Sequence, residues 1–161
     1  MLTSPASAAP KAKARFGLSL KGRALRYLAG REHSRTELER KLAAHEETPG
    51  QLAQVLDELE AKDFISETRV VASVVNRRAA RFGAARVRHE LLGKGISTDA
   101  VAEAVAGLKA TEAERARDIW RRKYGEPAPD AAGRAKQMRF LASRGFCAEA
   151  IRHAVAGSDE D

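Results

Sequence analysis

The chain contains few of the residues on which several protein classes depend. Among its 161 residues there are one cysteine, one tryptophan and two tyrosines, and aromatic residues make up only 5%. A single cysteine, Cys147, cannot form an internal disulfide and supplies too few thiolates for a structural zinc site, so we expect a reducing, cytoplasmic environment. The scarcity of aromatic side chains disfavours a stacking platform for single-stranded nucleic acid.

Long apolar runs are also missing. The longest, residues 70–75, is interrupted by Ser73, whereas a membrane helix needs about 20 consecutive apolar residues. We therefore expect a soluble protein that has no membrane partner.

The sequence has no recognisable motif for catalysis or for binding a cofactor. The segment Gly93-Lys94-Gly95 lacks the upstream glycine and the following Ser or Thr of a phosphate-binding loop. No two of the four histidines are four residues apart, as metal ligands on one helix face would be. The acidic cluster in residues 57–60 has no matched base or nucleophile, which favours a solvated helix face. We predict a non-enzymatic protein with no catalytic residue, no metal, no cofactor and no small-molecule substrate.

Positive charge is concentrated in two parts of the chain. The formal net charge of +7 divides into +3 in residues 1–19, −1 in 20–66 (8 basic, 9 acidic), +4 in 67–110 (8 basic, 4 acidic) and +1 beyond (10 basic, 9 acidic). Residues 1–19 have no acidic residue and are rich in Ala, Ser and Pro, which predicts a disordered basic tail. The excess in residues 67–110 points to one segment as the contact with an acidic partner.

Apolar residues recur at helical spacing along most of the chain. Leu52, Val55, Leu56 and Leu59 follow the i, i+3, i+4, i+7 pattern of an amphipathic helix. The valine-rich residues 70–75 do not alternate as a strand would, so a helix is predicted there too. Three capping boxes are predicted at helix starts, formed by Thr36 with Glu39, by Thr48 with Gln51 and by Thr111 with Glu114.

The sequence repeats with a period of about 50 residues. A shift of 50 places residues 94–96 (Lys-Gly-Ile) on residues 144–146 (Arg-Gly-Phe), and a shift of 49 places the apolar positions of residues 38–59 on those of residues 87–108. The apolar pattern within each repeat predicts three helices. In the last two repeats, a basic residue ends the middle helix, a glycine adopts a left-handed conformation, and the next apolar residue packs back onto the core.

This periodicity predicts an all-α protein of three tandem three-helix repeats in an elongated, curved array. A single unit of three short helices buries little apolar surface, so neighbouring units should pack against each other. The predicted organisation is the basic tail at 1–19 followed by repeats at 20–66, 67–110 and 111–157.

Several short motifs follow one another at defined spacings in the second and third repeats: Val71-Ala72, Arg77-Arg78, Gly83, Glu90-Leu91, Lys94-Gly95-Ile96-Ser97, Leu141 and Arg144-Gly145-Phe146. The order and spacing of these motifs resemble those of the RecX family of bacterial recombination regulators, over roughly residues 20–157. Asp63 stands where that family often has glycine, and Cys147 where it often has serine. Because aspartate tolerates the left-handed region better than most residues, the fold should be retained.

The resemblance implies a regulatory function. A protein of this family would bind the RecA recombinase, dock along the helical groove of the RecA filament on single- or double-stranded DNA, and inhibit its ATPase and strand-exchange activities. Such a protein would modulate homologous recombination, DNA repair and the SOS response.

Clusters of basic residues are the candidates for this contact. Arg77 and Arg81 are four residues apart on one predicted helix face, and Arg86 and Arg88 open the next helix, so positive charge should gather at the turn between them. Arginine offers bidentate donors that suit phosphates or clustered carboxylates. The predicted residues for binding a protein or nucleic-acid partner are Arg77, Arg78, Arg81, Arg86, Arg88, Lys94, Arg121, Arg122, Lys123 and Arg144.

Two other functions stay open on the residues alone. One is a stand-alone DNA- or RNA-binding module of helix-turn-helix-like repeats, and the other is a protein-interaction scaffold that binds no nucleic acid. The net charge of −1 in residues 20–66, and the lack of a basic helix face repeated in every copy, weigh against the first of these.

Overall fold

The prediction of an all-α fold is confirmed. The structure, a computed structural model, describes residues 17–156, so most of the predicted basic tail and residue 157 lie outside the described residues. Within the described range the chain forms nine α-helices and a short 3-10 turn at Ala43–His45, with no β-strand. The helices are α1 (Leu20–Gly30), α2 (Arg35–Leu42), α3 (Gln51–Ala61), α4 (Glu67–Arg78), α5 (Ala84–Gly93), α6 (Thr98–Ala110), α7 (Glu112–Lys123), α8 (Ala131–Ser143) and α9 (Ala148–Val155).

The helices form three consecutive modules, each with its own hydrophobic core. The first module (α1–α3) buries Leu38, Leu42, Leu56 and Leu59 completely. The second (α4–α6) and the third (α7–α9) bury equivalent positions, which are Val70, Val74, Val87, Leu91, Val101 and Leu108 in the second and Ala116, Trp120, Leu141, Phe146, Ile151 and Ala154 in the third. Burial of each large side chain contributes roughly 1.5–3 kcal/mol.

The predicted helix at the valine-rich segment is also confirmed. Val70 and Val74, one turn apart on α4, are each 1% exposed and face the second core. None of the helices within residues 17–156 is long and apolar enough to cross a lipid bilayer.

The predicted capping boxes are wrong. The box at the start of α2 lies two residues earlier, where Ser34 caps the helix and Glu37 bonds back to the backbone of Ser34. The helix α3 begins after Gly50 with no side-chain cap, and the Thr111 hydroxyl donates to the last turn of α6 at 3.4 Å and does not cap α7. Thr36 is instead packed against the turn of the next module.

The turns that end the helices follow the prediction. Gly95 and Gly145 adopt φ values of 72° and 85°, and Ile96 and Phe146, which follow them, are each 5% exposed in the cores. Asp63 occupies the left-handed region with φ of 63°, as expected for an aspartate that replaces glycine. These turns let each chain segment reverse onto the helix that it has just left.

The first and second modules meet where α5 ends against the start of α2. The Ser34 hydroxyl donates to the Lys94 carbonyl at 2.6 Å, and the Arg40 guanidinium donates to the Gly93 carbonyl at 2.8 Å. The Lys94 ammonium lies 3.0 Å from a carboxylate oxygen of Glu37. Carbonyls that α5 leaves without an intrahelical partner are thus satisfied by the preceding module.

The second and third modules meet in the same way. A shift of 49 places Ser34 on Gly83, and a shift of 50 places Lys94 on Arg144. At this second junction the Gly83 N–H donates to the Arg144 carbonyl at 2.7 Å. The residue that caps each middle helix therefore contacts the carbonyl that ends the middle helix of the following module.

Replacement of Gly83 by alanine should destabilise the protein. A Cβ atom at Gly83 would clash with the backbone carbonyl of Gly145, which no side-chain rotation relieves. We expect Gly83→Ala to lower the free energy of unfolding by about 2 kcal/mol or more, as overpacking does elsewhere, which urea denaturation followed by circular dichroism would measure. Gly93→Ala is the matched control, because nothing lies within 4 Å of a Cβ atom there. Equal shifts in the two variants would contradict the junction contact.

The Glu37 carboxylate should make the protein sensitive to acid. Burial opposes its ionisation, but hydrogen bonds from Arg31, Lys94 and the Ser34 backbone prevail and lower the pKa of this carboxyl to about 2. Its stabilising effect is present above a pH of about 4.5 and is lost as the pH falls through the folded-state pKa. We expect Glu37→Gln to cost on the order of 2 kcal/mol at pH 7 and much less near pH 2, as measured by urea denaturation at both pH values.

The control for this experiment is Glu39→Gln on the same helix. The Glu39 side chain is 47% exposed and pairs with Arg35 across one turn, a surface pair that contributes little to stability. A pH dependence that is the same in both variants would be inconsistent with the assigned role of Glu37.

Candidate partner-binding surface

The arginines at the end of α4 share one carboxylate. Glu90 of α5 lies 3.0 Å from Nε of Arg78 and 3.8 Å from the guanidinium of Arg77. The Glu90 side chain is only 25% exposed, so it holds both arginines against the second module. The charge that this pair can offer to a partner is correspondingly reduced.

The prediction that Arg77 and Arg81 share a helix face is wrong. The helix α4 ends at Arg78, and Arg81 lies in the turn before α5. The chain must leave the helix here because Gly83 pairs with the third module. The Arg81 side chain is exposed, and its carbonyl accepts a hydrogen bond from the Arg144 guanidinium at 3.2 Å.

The ring of Phe82, in the same turn, is surrounded by guanidinium groups. The Cζ atom of Arg86 lies 4.2 Å from the ring centroid, and those of Arg78 and Arg144 lie at 5.6 and 5.7 Å. A cation that lies over an aromatic face gains about 0.5–2 kcal/mol, depending on its exposure. The half-buried Phe82 thus gathers arginines from both of the modules that meet here.

A second ring, Phe140, extends this arrangement along the third module. The Lys123 ammonium lies 3.8 Å from the Phe140 centroid and the Arg144 guanidinium 4.8 Å from it, while Tyr124 packs edge-on at 5.7 Å. Arg144 contacts both phenylalanines and therefore joins the basic cluster of the second module to the basic strip of α7. We call this set the cationic–aromatic surface; it comprises Arg78, Phe82, Arg86, Lys123, Phe140 and Arg144.

Other sequence-predicted site residues lie outside this set. Lys94 lies at the junction of the first and second modules, paired with Glu37, and its side chain is 14% exposed. Arg88, Arg121 and Arg122 are exposed and form no ion pair with another of residues 17–156. These three arginines are available to a partner without the loss of an internal ion pair.

Two charged residues of α7 fix the turn that carries Phe82. Glu112 is 3% exposed and accepts a hydrogen bond from the Ala84 N–H at 3.0 Å. Arg115 donates to the carbonyls of Ala79 and Phe82 at 2.8 and 2.7 Å, and burial lowers the pKa of its guanidinium from the usual value. Glu112 does not stand out in the sequence, because a glutamate in the first turn of a helix normally complements the helix dipole at the surface.

The chemical groups of the surface are its cations and aromatic rings. Among residues 17–156, no three His, Cys, Asp or Glu side chains are grouped as metal ligands would be. Cys147 is exposed and caps α9, and its Sγ accepts from the Ala150 N–H at 3.5 Å. The cationic–aromatic surface instead offers fixed positive charge beside apolar rings, which suits phosphate groups or clustered carboxylates.

Comparison with known families gives two matches along the chain. The family model described as "RecX, first three-helix domain" matches residues 21–59, and the one described as "RecX, third three-helix domain" matches residues 110–155. The modules at the two ends of the array are therefore similar to modules known from one family.

Whole-chain comparisons agree with these matches. The chain is 55% identical to "Regulatory protein RecX" of Leptothrix cholodnii over 144 residues, which are 89% of this chain and 92% of that protein. It is 51% identical to the protein of the same name from Herminiimonas arsenicoxydans, with 92% of this chain and 98% of that protein covered. The fold superposes with a TM-score of 0.70 on a crystal structure of RecX from Lactobacillus salivarius at 19% identity, with 85% of this chain and 92% of that chain covered. From these similarities, the chain belongs to the RecX family of regulatory proteins.

Proposed function

We propose that this protein binds the RecA recombinase filament on DNA in the cytoplasm and inhibits its ATPase and strand-exchange activities, so that it modulates DNA repair and recombination. Membership of the RecX family supports the identity of the partner. The observation that carries the proposal is the cationic–aromatic surface at the junction of the second and third modules. There, Arg144 joins two aromatic rings and two basic clusters into one contact area.

The repeated junction suits a partner that is itself repetitive. The Ser34 hydroxyl and the Gly83 N–H donate to the carbonyls of Lys94 and Arg144, which occupy corresponding positions in successive repeats. Repeat proteins present extended surfaces of this kind to long partners. A filament of identical subunits offers such a partner.

The inhibition would act on the active site of the partner. The only lysine flanked by two glycines, Lys94, bonds to Glu37 and lies outside any phosphate-binding loop. Binding along the filament can restrain ATP hydrolysis by favouring one conformation of the filament over another.

The charge of the third helices weighs against a stand-alone helix-turn-helix DNA-binding protein. In that motif the last helix enters the major groove and meets phosphates on both sides. Here α3 carries three acidic residues (Asp57, Glu58 and Glu60) and no lysine or arginine. The helix α6 carries two acidic residues and one lysine, and α9 carries one glutamate and one arginine. No third helix therefore has the positive charge that groove binding needs.

A triple substitution of the cationic–aromatic surface tests the proposal. We expect Arg86→Gln, Lys123→Gln and Arg144→Gln together to raise the concentration that half-inhibits DNA-dependent ATP hydrolysis by RecA at least about tenfold, which corresponds to about 1.4 kcal/mol. The control removes three exposed charges elsewhere, by Lys109→Gln, Lys136→Gln and Arg152→Gln, and should leave inhibition within about twofold of the wild type.

The possible results of this experiment distinguish a filament-binding inhibitor from a stand-alone DNA-binding module. Failure of the wild-type protein to inhibit RecA at any salt concentration would refute the proposal. Tight binding of naked duplex, lost in the triple variant without any effect on the filament, would instead identify a stand-alone DNA-binding module. In a further variant, Arg86→Lys with Arg144→Lys retains the charge but replaces the planar guanidinium groups that lie near Phe82 and Phe140, so weakened inhibition would assign a role to the rings.

A further inference from the structure

A second cationic site lies in the first module, whose net charge is −1. It is a cleft of about 470 Å³ between α1 and α2, and His45 of the 3-10 turn also lines it. Its walls carry the cations Arg23, Arg26, Arg31 and Lys41, and no aspartate or glutamate of residues 17–156 lines it. The volume falls within the range of about 300–1,000 Å³ that is typical of small-ligand pockets.

Two acidic residues of the first module, Asp57 and Glu58, are paired away from the cleft. Asp57 pairs with Arg35 at 2.6 Å, and Glu58 pairs with Lys21 at 2.7 Å and with Lys62 at 2.8 Å. The cations of these pairs, Arg35, Lys21 and Lys62, do not line the cleft. The sequence total of −1 thus includes acids that are paired away from the cleft, whereas Arg23, Arg26 and Lys41 line it.

Three of the four cations in the cleft have no acidic partner among the residues that the structure describes. Arg31 is bound to Glu37 at 2.6 Å. Arg23, Arg26 and Lys41 form no ion pair with another of residues 17–156, and each lies on the wall of the cleft. Three like charges that converge without a counter-charge repel one another, so an anionic ligand would relieve the repulsion.

A buried histidine, His33, lies in the lining of the cleft and is held by hydrogen bonds. His33 is 2% exposed, and burial lowers the pKa of its imidazole, which favours the neutral form. Its Nδ1 bonds to the Arg31 carbonyl at 3.0 Å, so Nε2 is the acceptor that faces the Lys41 ammonium at 3.4 Å. Lys41 also lies 4.6 Å from the centroid of the Tyr27 ring, which packs against His33 at 5.5 Å. Lys41 is therefore directed into the cleft.

One face of α1 presents the remaining groups. Arg23, Arg26, Tyr27 and Gly30 follow the i, i+3, i+4, i+7 spacing of a single helix face and all line the cleft. Nothing lies within 4 Å of where a Cβ atom of Gly30 would stand, and the Tyr27 side chain is 39% exposed. The mouth of the cleft is thus open, with an aromatic ring beside the cations.

We propose that this cleft binds the phosphodiester backbone of a single DNA strand, with Arg23, Arg26 and Lys41 on the phosphates and Tyr27 against a neighbouring sugar or base. A concave site with a ring beside its cations fits a phosphate that is attached to a nucleoside better than it fits a bare carboxylate. This inference rests on the proposed function, because the DNA strand that it assigns to the first module is the DNA of the filament. The cleft is a separate site from the cationic–aromatic surface.

The test uses the full-length protein and a fluorescently labelled oligothymidylate. We expect Arg23→Gln, Arg26→Gln and Lys41→Gln together to weaken binding at least about tenfold and to lower the slope of log affinity against log salt by about 2, since each phosphate contact on a single strand contributes about 0.7. The control variant Lys109→Gln, Lys136→Gln and Arg152→Gln removes the same charge from exposed positions and should change the slope by less than half as much. Fluorescence anisotropy measures both quantities.

Two results would overturn the inference. One is an equal loss of affinity in the site variant and the control variant, which would mean that only total charge matters. The other is competition by polyglutamate as effective as that by oligothymidylate at equal charge, which would identify an acidic protein partner.

Photo-cross-linking provides a second measurement that does not depend on the folding of a variant. Wild-type protein irradiated with a 5-bromodeoxyuridine oligonucleotide should cross-link at Tyr27, and cross-links confined to other residues would contradict the site. If the wild-type protein inhibits RecA but does not cross-link at Tyr27, this inference fails while the proposed function stands. If it cross-links at Tyr27 but does not inhibit RecA, the proposed function fails alone.

Discussion

The close approach of two backbones at each module junction is the constraint on which the rest of the structure depends. Gly83 donates its N–H directly to the Arg144 carbonyl at 2.7 Å, a separation that leaves no room for a side chain. The first junction allows more space, and the Ser34 hydroxyl takes the place of the N–H. Because Phe82 precedes Gly83 and Arg144 supplies the carbonyl, the same contact that joins the modules also assembles the cationic–aromatic surface.

Local features of the fold are predictable from the sequence because local chemistry determines them. A glycine just after a helix readily adopts the left-handed conformation because it has no Cβ atom, and Gly95 and Gly145 do so. The start of α2 is less predictable, since Ser34 and Thr36 are both acceptable caps. The choice of Ser34 depends on the next module, where the Gly95 turn packs against Thr36.

The surfaces could not be predicted because they combine distant segments. The predicted basic residues Arg86, Lys123 and Arg144 do meet, but the phenylalanines that gather them give no signal in a sequence with 5% aromatic residues. The cleft of the first module is hidden for a different reason. A sum of charges over residues 20–66 cannot show that Asp57 and Glu58 are paired away from the cleft that Arg23, Arg26 and Lys41 line.

The direct passage from α6 to α7 limits how the length of the chain can vary. Thr111 is at once the C-cap of α6 and the N-cap of α7, with no spacer between the two helices. One inserted residue would shift α7 relative to α6 and would separate Arg115 and Glu112 from the turn that they hold. The connection at residues 124–130 contains a glycine and two prolines and provides a longer spacer between α7 and α8. Insertions among relatives should therefore accumulate between α7 and α8 and be absent between α6 and α7.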